Sequence, residues 1–144
     1  MDIRPISPTY AVSPQILPDD CVAIAAAGFT TIICNRPDGE ITPDLSATAI
    51  EAAAKAAGLA FVILPITHQT MTQDNIDAHR AAIDASAGPV LAYCASGTRS
   101  SIIWSLGQAG EMASDDIIAA TAQAGYDLGG LHPQLEAIAA ARKG

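Results

Sequence analysis

PVLAYCASGTRSSIIW, residues 89–104, decides how the rest of the chain is read. Gly88-Pro89 breaks what precedes it, VLAYC (90–94) is an unbroken apolar run, and TRSSIIWSLGQAG reads as a helix to about Gly110. A strand without polar alternation is one buried on both faces, as in a parallel sheet. Working outward, the same succession recurs. TTIIC (30–34) and LAFVILPI (59–66) are further apolar strands, and TYAVS (9–13) is a short edge strand ended by Pro14. Helices lie between them. LPDDCVAIAAAGF starts at Pro18 and stops at Gly28, DLSATAIEAAAKAA (44–57) closes at Gly58, and TQDNIDAHRAAIDAS (72–86) enters through Thr72 and Asp74. Beyond Gly110, SDDIIAATAQAG (114–125), capped by Ser114, and a last helix from Pro133 form a helical C-terminal section joined by AGYDLGGLHP (124–133). The expectation is one α/β domain over residues 1–144, a mostly parallel sheet of about four to five strands flanked by helices.

Composition narrows the partners. The 144 residues are 50% hydrophobic and 15% charged, which argues for a packed core and against disorder. A net charge of −8 disfavours nucleic acid and anionic membrane as partners, while a small anion can still bind where a local positive field is built. No apolar run approaches the ~20 residues of a membrane span. The start, MDIRPISPTYAVS, lacks the apolar core of a secretory signal. Three irregularly spaced cysteines make neither a disulfide framework nor a zinc site. No dinucleotide fingerprint is present, so the expectation is a cytoplasmic protein without metal or cofactor.

Ligands of parallel α/β sheets sit beyond the carboxyl ends of the strands, where Cys94 stands. The following Ala95, Ser96, Gly97 and Thr98 are small enough for the loop to curl with its N–H groups inward as an anion nest. The helix that starts near Thr98 adds the positive end of its dipole. Such surroundings favour the thiolate of a cysteine. Arg99 can bind an oxyanion through two parallel hydrogen bonds. The stretch has the ingredients of a nucleophile inside an anion pocket.

In this pattern the loop resembles the active-site loop of cysteine-dependent tyrosine and dual-specificity phosphatases: strand, Cys94, small residues, Arg99, Ser100, helix. GFTTIICNRPDGE, GLAFVILPI, VLAYCASGTRSS and AGYDL, spread from residue 28 to 128, together resemble the phosphatase-like domain found alone or fused to beta-lactamase-like hydrolases. The resemblance implies a tyrosine-phosphatase-like fold, Cys94 as covalent nucleophile, Arg99 as oxyanion clamp, and Ser100 as the hydroxyl that helps the cysteine leave. Those phosphatases place one residue more between cysteine and arginine than the four here. The shorter spacing is similar to that of rhodaneses, whose cysteine carries a sulfane sulfur as a persulfide. The place of the phosphatases' aspartate acid corresponds to LPITHQT, which offers Thr67 and His68 but no carboxylate. Asp38 in NRPDGE is the first substitute acid and His68 the second.

Three residues have two readings each. Arg36 either adds positive charge for an anionic donor or pins the NRPDG turn. Asp38 is either an acid or an ordinary turn residue before Gly39. Cys34 is a resolving thiol if its strand neighbours that of Cys94, and otherwise a core thiol. His79 and His132 lack ligand-spaced partners and read as structural, and Tyr126-Asp127 is expected to join the C-terminal helices to the core. Three functions follow, in order. The first is sulfane-sulfur transfer from thiosulfate or a persulfide through a Cys94 persulfide. The second is phosphomonoester hydrolysis through a phosphocysteine. The third is an idle pseudo-enzyme that binds an anion or partner through the same nest.

Overall fold

The alternation of side chains along the central strand divides the molecule into two halves. In β5 (Val90–Tyr93), Val90 and Ala92 pack into one apolar cluster, while Leu91 and Tyr93 pack into the other. A period of two sends successive side chains to opposite faces, so an unbroken apolar run needs cover on both. The computed structural model describes residues 1–143 and supplies that cover. Helices α1 (Cys21–Ala26) and α2 (Ala47–Ala56) lie on the face of Leu91 and Tyr93, contributing Ile24, Ile50 and Ala54. Helices α3 (Gln73–Ala85), α4 (Thr98–Gln108), α5 (Ser114–Gln123) and α6 (His132–Lys143) cover the other, with Ile76, Ile103, Trp104, Ile117 and Leu135.

The remaining strands are β1 (Arg4–Ser7), β2 (Tyr10–Ser13), β3 (Thr31–Cys34) and β4 (Ala60–Ile63), and the sheet order is β1-β2-β5-β3-β4. The β2, β5, β3 and β4 strands run parallel, and β1 is antiparallel to β2. The expected α/β class and helical C-terminal section are present.

Two strand expectations need correction. The edge position assigned to 9–13 belongs to β1, and the β2 strand is an interior strand with all four residues buried. RPIS carries one buried apolar side chain, Ile6, between Pro5 and Ser7, too weak a signal to read as a strand. The apolar run 59–66 shortens to β4 at the far edge, where Ile63 is 44% exposed. Its remainder stays alongside the end of β3, with Leu64 N–H donating to Cys34 O and Ile66 N–H to Asn35 O. Pro65 has no N–H and interrupts the regular ladder between them. Ser114 is the first residue of α5; its N-cap is Ala113, which offers no side-chain cap.

This topology brings four loops to one end of the sheet. Ser13, Cys34, Ile63 and Tyr93 all close parallel strands there. From this end the chain leaves β3 toward α2 on one face and leaves β5 into α4 on the other. Such a divergence opens a crevice at the strand ends.

Candidate active site

The backbone from Cys94 to Arg99 folds under itself. Gly97 adopts φ +93° and serves as the N-cap of α4. That φ is strained for any residue with a Cβ, and a Cβ built on Gly97 would also collide with the Tyr126 hydroxyl. With this turn made, Gly97 N–H donates to Cys94 Sγ at 3.1 Å. Ser101 Oγ returns to Gly97 O at 2.8 Å, and Tyr126 Oη donates to Ser96 O at 2.9 Å. Cys94 is fully buried beneath the loop, while Ala95 and Ser96 are exposed above it.

Arg99 is held from two sides. Its Nη1 donates to Glu40 Oε2 at 2.8 Å and to Ile66 O at 2.9 Å, and its Nη2 donates to Glu40 Oε1 at 2.7 Å. This is a bidentate fork between a nearly buried guanidinium and a carboxylate that is about one-third exposed. The Arg99 guanidinium holds the Glu40 carboxyl below its usual range, against a smaller opposing effect of burial. Glu40 lies in NRPDGE, where no role is expected for it from the sequence. An arginine drawn under a loop needs a carboxylate partner, and that requirement was the available signal.

Above Arg99 lies a cavity of about 440 Å³ lined by Glu40, Thr67, His68, Gln69, Ala95, Ser96, Thr98 and Arg99. The THQT loop after β4 forms one wall, and the 95–99 loop forms the floor. His68 is exposed on that wall, and Ser96 Oγ and Thr98 Oγ1 lie 2.9 Å apart at the floor. Arg99, His68, Ala95, Ser96 and Thr98 therefore line one cavity, while Cys94 and Gly97 lie buried in the same loop and do not line it.

Other candidates are placed elsewhere. Asp38 Oδ1 accepts from Ala47 N–H at 2.8 Å, the first residue of α2, so its carboxylate serves that helix terminus and is absent from the cavity lining. A negative charge at a helix N-terminus is where the helix dipole favours it. Arg36 takes the turn-pinning role. Its Nη2 donates to Glu40 O at 3.2 Å, its Nη1 to Gln15 Oε1 at 3.2 Å, and its Nε lies 3.5 Å from Glu40 Oε1.

Cys34 sits beside Tyr93 in register, and both side chains face the cluster under α1 and α2. Its Sγ is directed to Arg36 O at 3.5 Å, and burial pushes the thiol up. Cys94 follows Tyr93 directly, so strand alternation sends it to the opposite face. Neighbouring strands are thus not enough to make Cys34 a resolving thiol.

Ser100 Oγ donates to Asn35 Oδ1 at 2.8 Å, not to the sulfur. Asn35 is fully buried and was not singled out from sequence. Its Nδ2 donates to Leu64 O at 3.0 Å, its backbone N–H to Tyr93 O, and its carbonyl accepts from Ile66 N–H. His79 Nε2 stands 3.4 Å from the same Asn35 Oδ1, buried among apolar groups. Asn35 thus joins the ends of β3, β4 and β5 to the first turn of α4. It is the internal brace of the site.

The family model for the phosphatase-like domain of beta-lactamase hydrolase-like proteins matches residues 2–111. A beta-lactamase hydrolase-like protein of Xylella fastidiosa (strain Temecula1) is 36% identical over 131 residues, which is 90% of this chain and 30% of that protein. One from Agrobacterium fabrum (strain C58) is 35% identical over 122 residues, 83% of this chain and 28% of its own length. This chain therefore spans under a third of those curated relatives. Among solved structures, a candidate phosphatase of Neisseria meningitidis superposes with a TM-score of 0.84 at 34% identity, covering 96% of this chain and 99% of that one. Tk-PTP in its active form gives a TM-score of 0.75 at 13% identity, over 98% and 97% of the two chains. That likeness concerns the fold alone.

Proposed function

The chain belongs to the phosphatase-like domain family of beta-lactamase hydrolase-like proteins, and from that premise we propose that it hydrolyses phosphomonoesters through a phosphocysteine at Cys94. The observation that carries this reading is the cavity over the loop, which sets Arg99 in its floor and His68 in its wall. Transfer of a phosphoryl group needs a cradle for its oxygens, room for the departing alcohol, and a proton donor beside it.

In the proposed reaction the loop widens to admit the substrate, and Cys94 Sγ attacks phosphorus as thiolate. The bond to the ester oxygen breaks as His68, in its protonated form, gives that oxygen a proton. Water then attacks the phosphocysteine, with His68 taking a proton back, and inorganic phosphate leaves as the thiolate is restored. Glu40 is a poor alternative donor, because its pairing with Arg99 favours the ionised form. Its work is to aim Arg99. The positive charge of Arg99 counters the charge on the phosphoryl oxygens, and the Gly97 N–H donates to the departing sulfur.

A second reading has its own support. Four residues separate Cys94 from Arg99, and Glu40, already engaged by Arg99, is the one carboxylate lining the cavity among the described residues. Sulfane-sulfur transfer suits a short loop and needs little acid help, since sulfite and thiolates leave readily.

Aryl-phosphate hydrolysis and thiosulfate sulfurtransferase assays on wild type and Cys94→Ser separate the two. Phosphate release lost in Cys94→Ser supports the first reading. Thiosulfate turnover, with one sulfur added to Cys94 by mass, replaces it with the second. Neither activity in wild type leaves an anion-binding module.

A further inference from the structure

The loop's carbonyl on Tyr126 and its N–H on Cys94 belong to the same peptide bond. A trans peptide is planar, with its C=O and N–H pointing in opposite directions. The bond between Ser96 and Gly97 has its oxygen held by Tyr126 Oη at 2.9 Å and its N–H directed to Cys94 Sγ at 3.1 Å. Gly97, with φ +93° and no side chain, offers little resistance to rotation of that plane. Something outside the loop must choose its orientation. We propose that Tyr126 is a positioning residue that sets this peptide, so that the Gly97 N–H faces the sulfur.

Tyr126 is itself fixed from beyond the site. It is buried in the cluster under α4 and α5, and the Arg4 guanidinium lies over its ring at 5.3 Å from the centroid. Arg4 comes from β1 and also donates to Ala124 O at 3.4 Å, two residues before Tyr126. A line of contacts therefore runs from β1 through Arg4 and Tyr126 to the peptide that faces Cys94. The AGYDL segment, outside the loop and outside the cavity lining, gains a role in the chemistry through main-chain orientation. This deepens the proposed function and rests on Cys94 being the reacting group.

Thiolate ultraviolet absorbance tests it without turnover and without access to the buried sulfur. The pH titration of wild type minus Cys94→Ser is compared with that of Tyr126→Phe minus the Tyr126→Phe, Cys94→Ser double variant. Losing an N–H donor to the thiolate moves the midpoint up by about one pH unit, a tenfold change in thiolate fraction at a given pH. The core control Ile24→Val, on the opposite face of the sheet, leaves the midpoint in place. Equal midpoints for wild type and Tyr126→Phe, or a shift in Ile24→Val of the same size, overturn the proposal. Should Tyr126→Phe not fold, Arg4→Gln takes its place, with a smaller upward shift expected and no shift overturning it. Turnover retained by Cys94→Ser would defeat the phosphocysteine reading, whereas an unmoved midpoint would defeat only the role of Tyr126.

Discussion

Acidification should destabilise this protein through His79, a residue outside the cavity. The ring is buried in α3, edge-on to Tyr10 with centroids 5.9 Å apart, and desolvation lowers its pKa to about 3. In the unfolded chain a histidine titrates near ~6.5. Above that pH neither state binds the proton, and the full stability is present. Between about 6.5 and about 3 the unfolded chain binds a proton that the native ring refuses, so stability falls with pH at about 1.4 kcal/mol per unit. At pH 5 the loss is about 2 kcal/mol, and for a chain of this length it lowers Tm by about 7 °C. Urea unfolding of wild type and His79→Gln at pH 7 and pH 5 isolates the effect, because the other groups titrate alike in both. The stability gap between the two proteins is expected to change by about 2 kcal/mol in favour of His79→Gln on acidification. A gap that stays constant would refute the reasoning and show the ring protonating in place.

Three further outcomes follow from the site. Glu40→Gln removes the charge from a fork in which Glu40 is about one-third exposed; after allowance for solvent screening it should cost about 1 kcal/mol and lower kcat/KM about tenfold, measured by aryl-phosphate turnover. Asp38→Asn should keep near wild-type turnover and lose about 0.5–1 kcal/mol of stability by thermal melting, because its carboxylate faces the start of α2; loss of turnover to the level of Cys94→Ser would return the acid role to it. Gly97→Ala should cost about 1–3 kcal/mol in urea unfolding and weaken phosphate binding by calorimetry, since φ +93° and the Tyr126 hydroxyl both oppose a Cβ. Unchanged affinity would mean that the loop does not hold the anion.

The amino-acid sequence by itself determined the layered class, the parallel strands and the place of Cys94, the proposed nucleophile. Unbroken apolar runs between helical segments leave few other ways to bury both faces of a strand, and a strand's last residue must lie at the sheet's ligand-binding end. Cys94, Arg99 and the small residues between them were legible for that reason, since their spacing along one chain is also their spacing in space. Only the tertiary structure decided what faces them. Glu40 reaches Arg99 from 59 positions away, Tyr126 reaches Ser96 from 30, and Asn35 reaches Ser100 from 65. Asp38 and Glu40 stand two apart in one loop, yet one serves α2 and the other Arg99. The direction in which a turn aims each carboxylate is set by long-range packing, and no local pattern of residues carries that information.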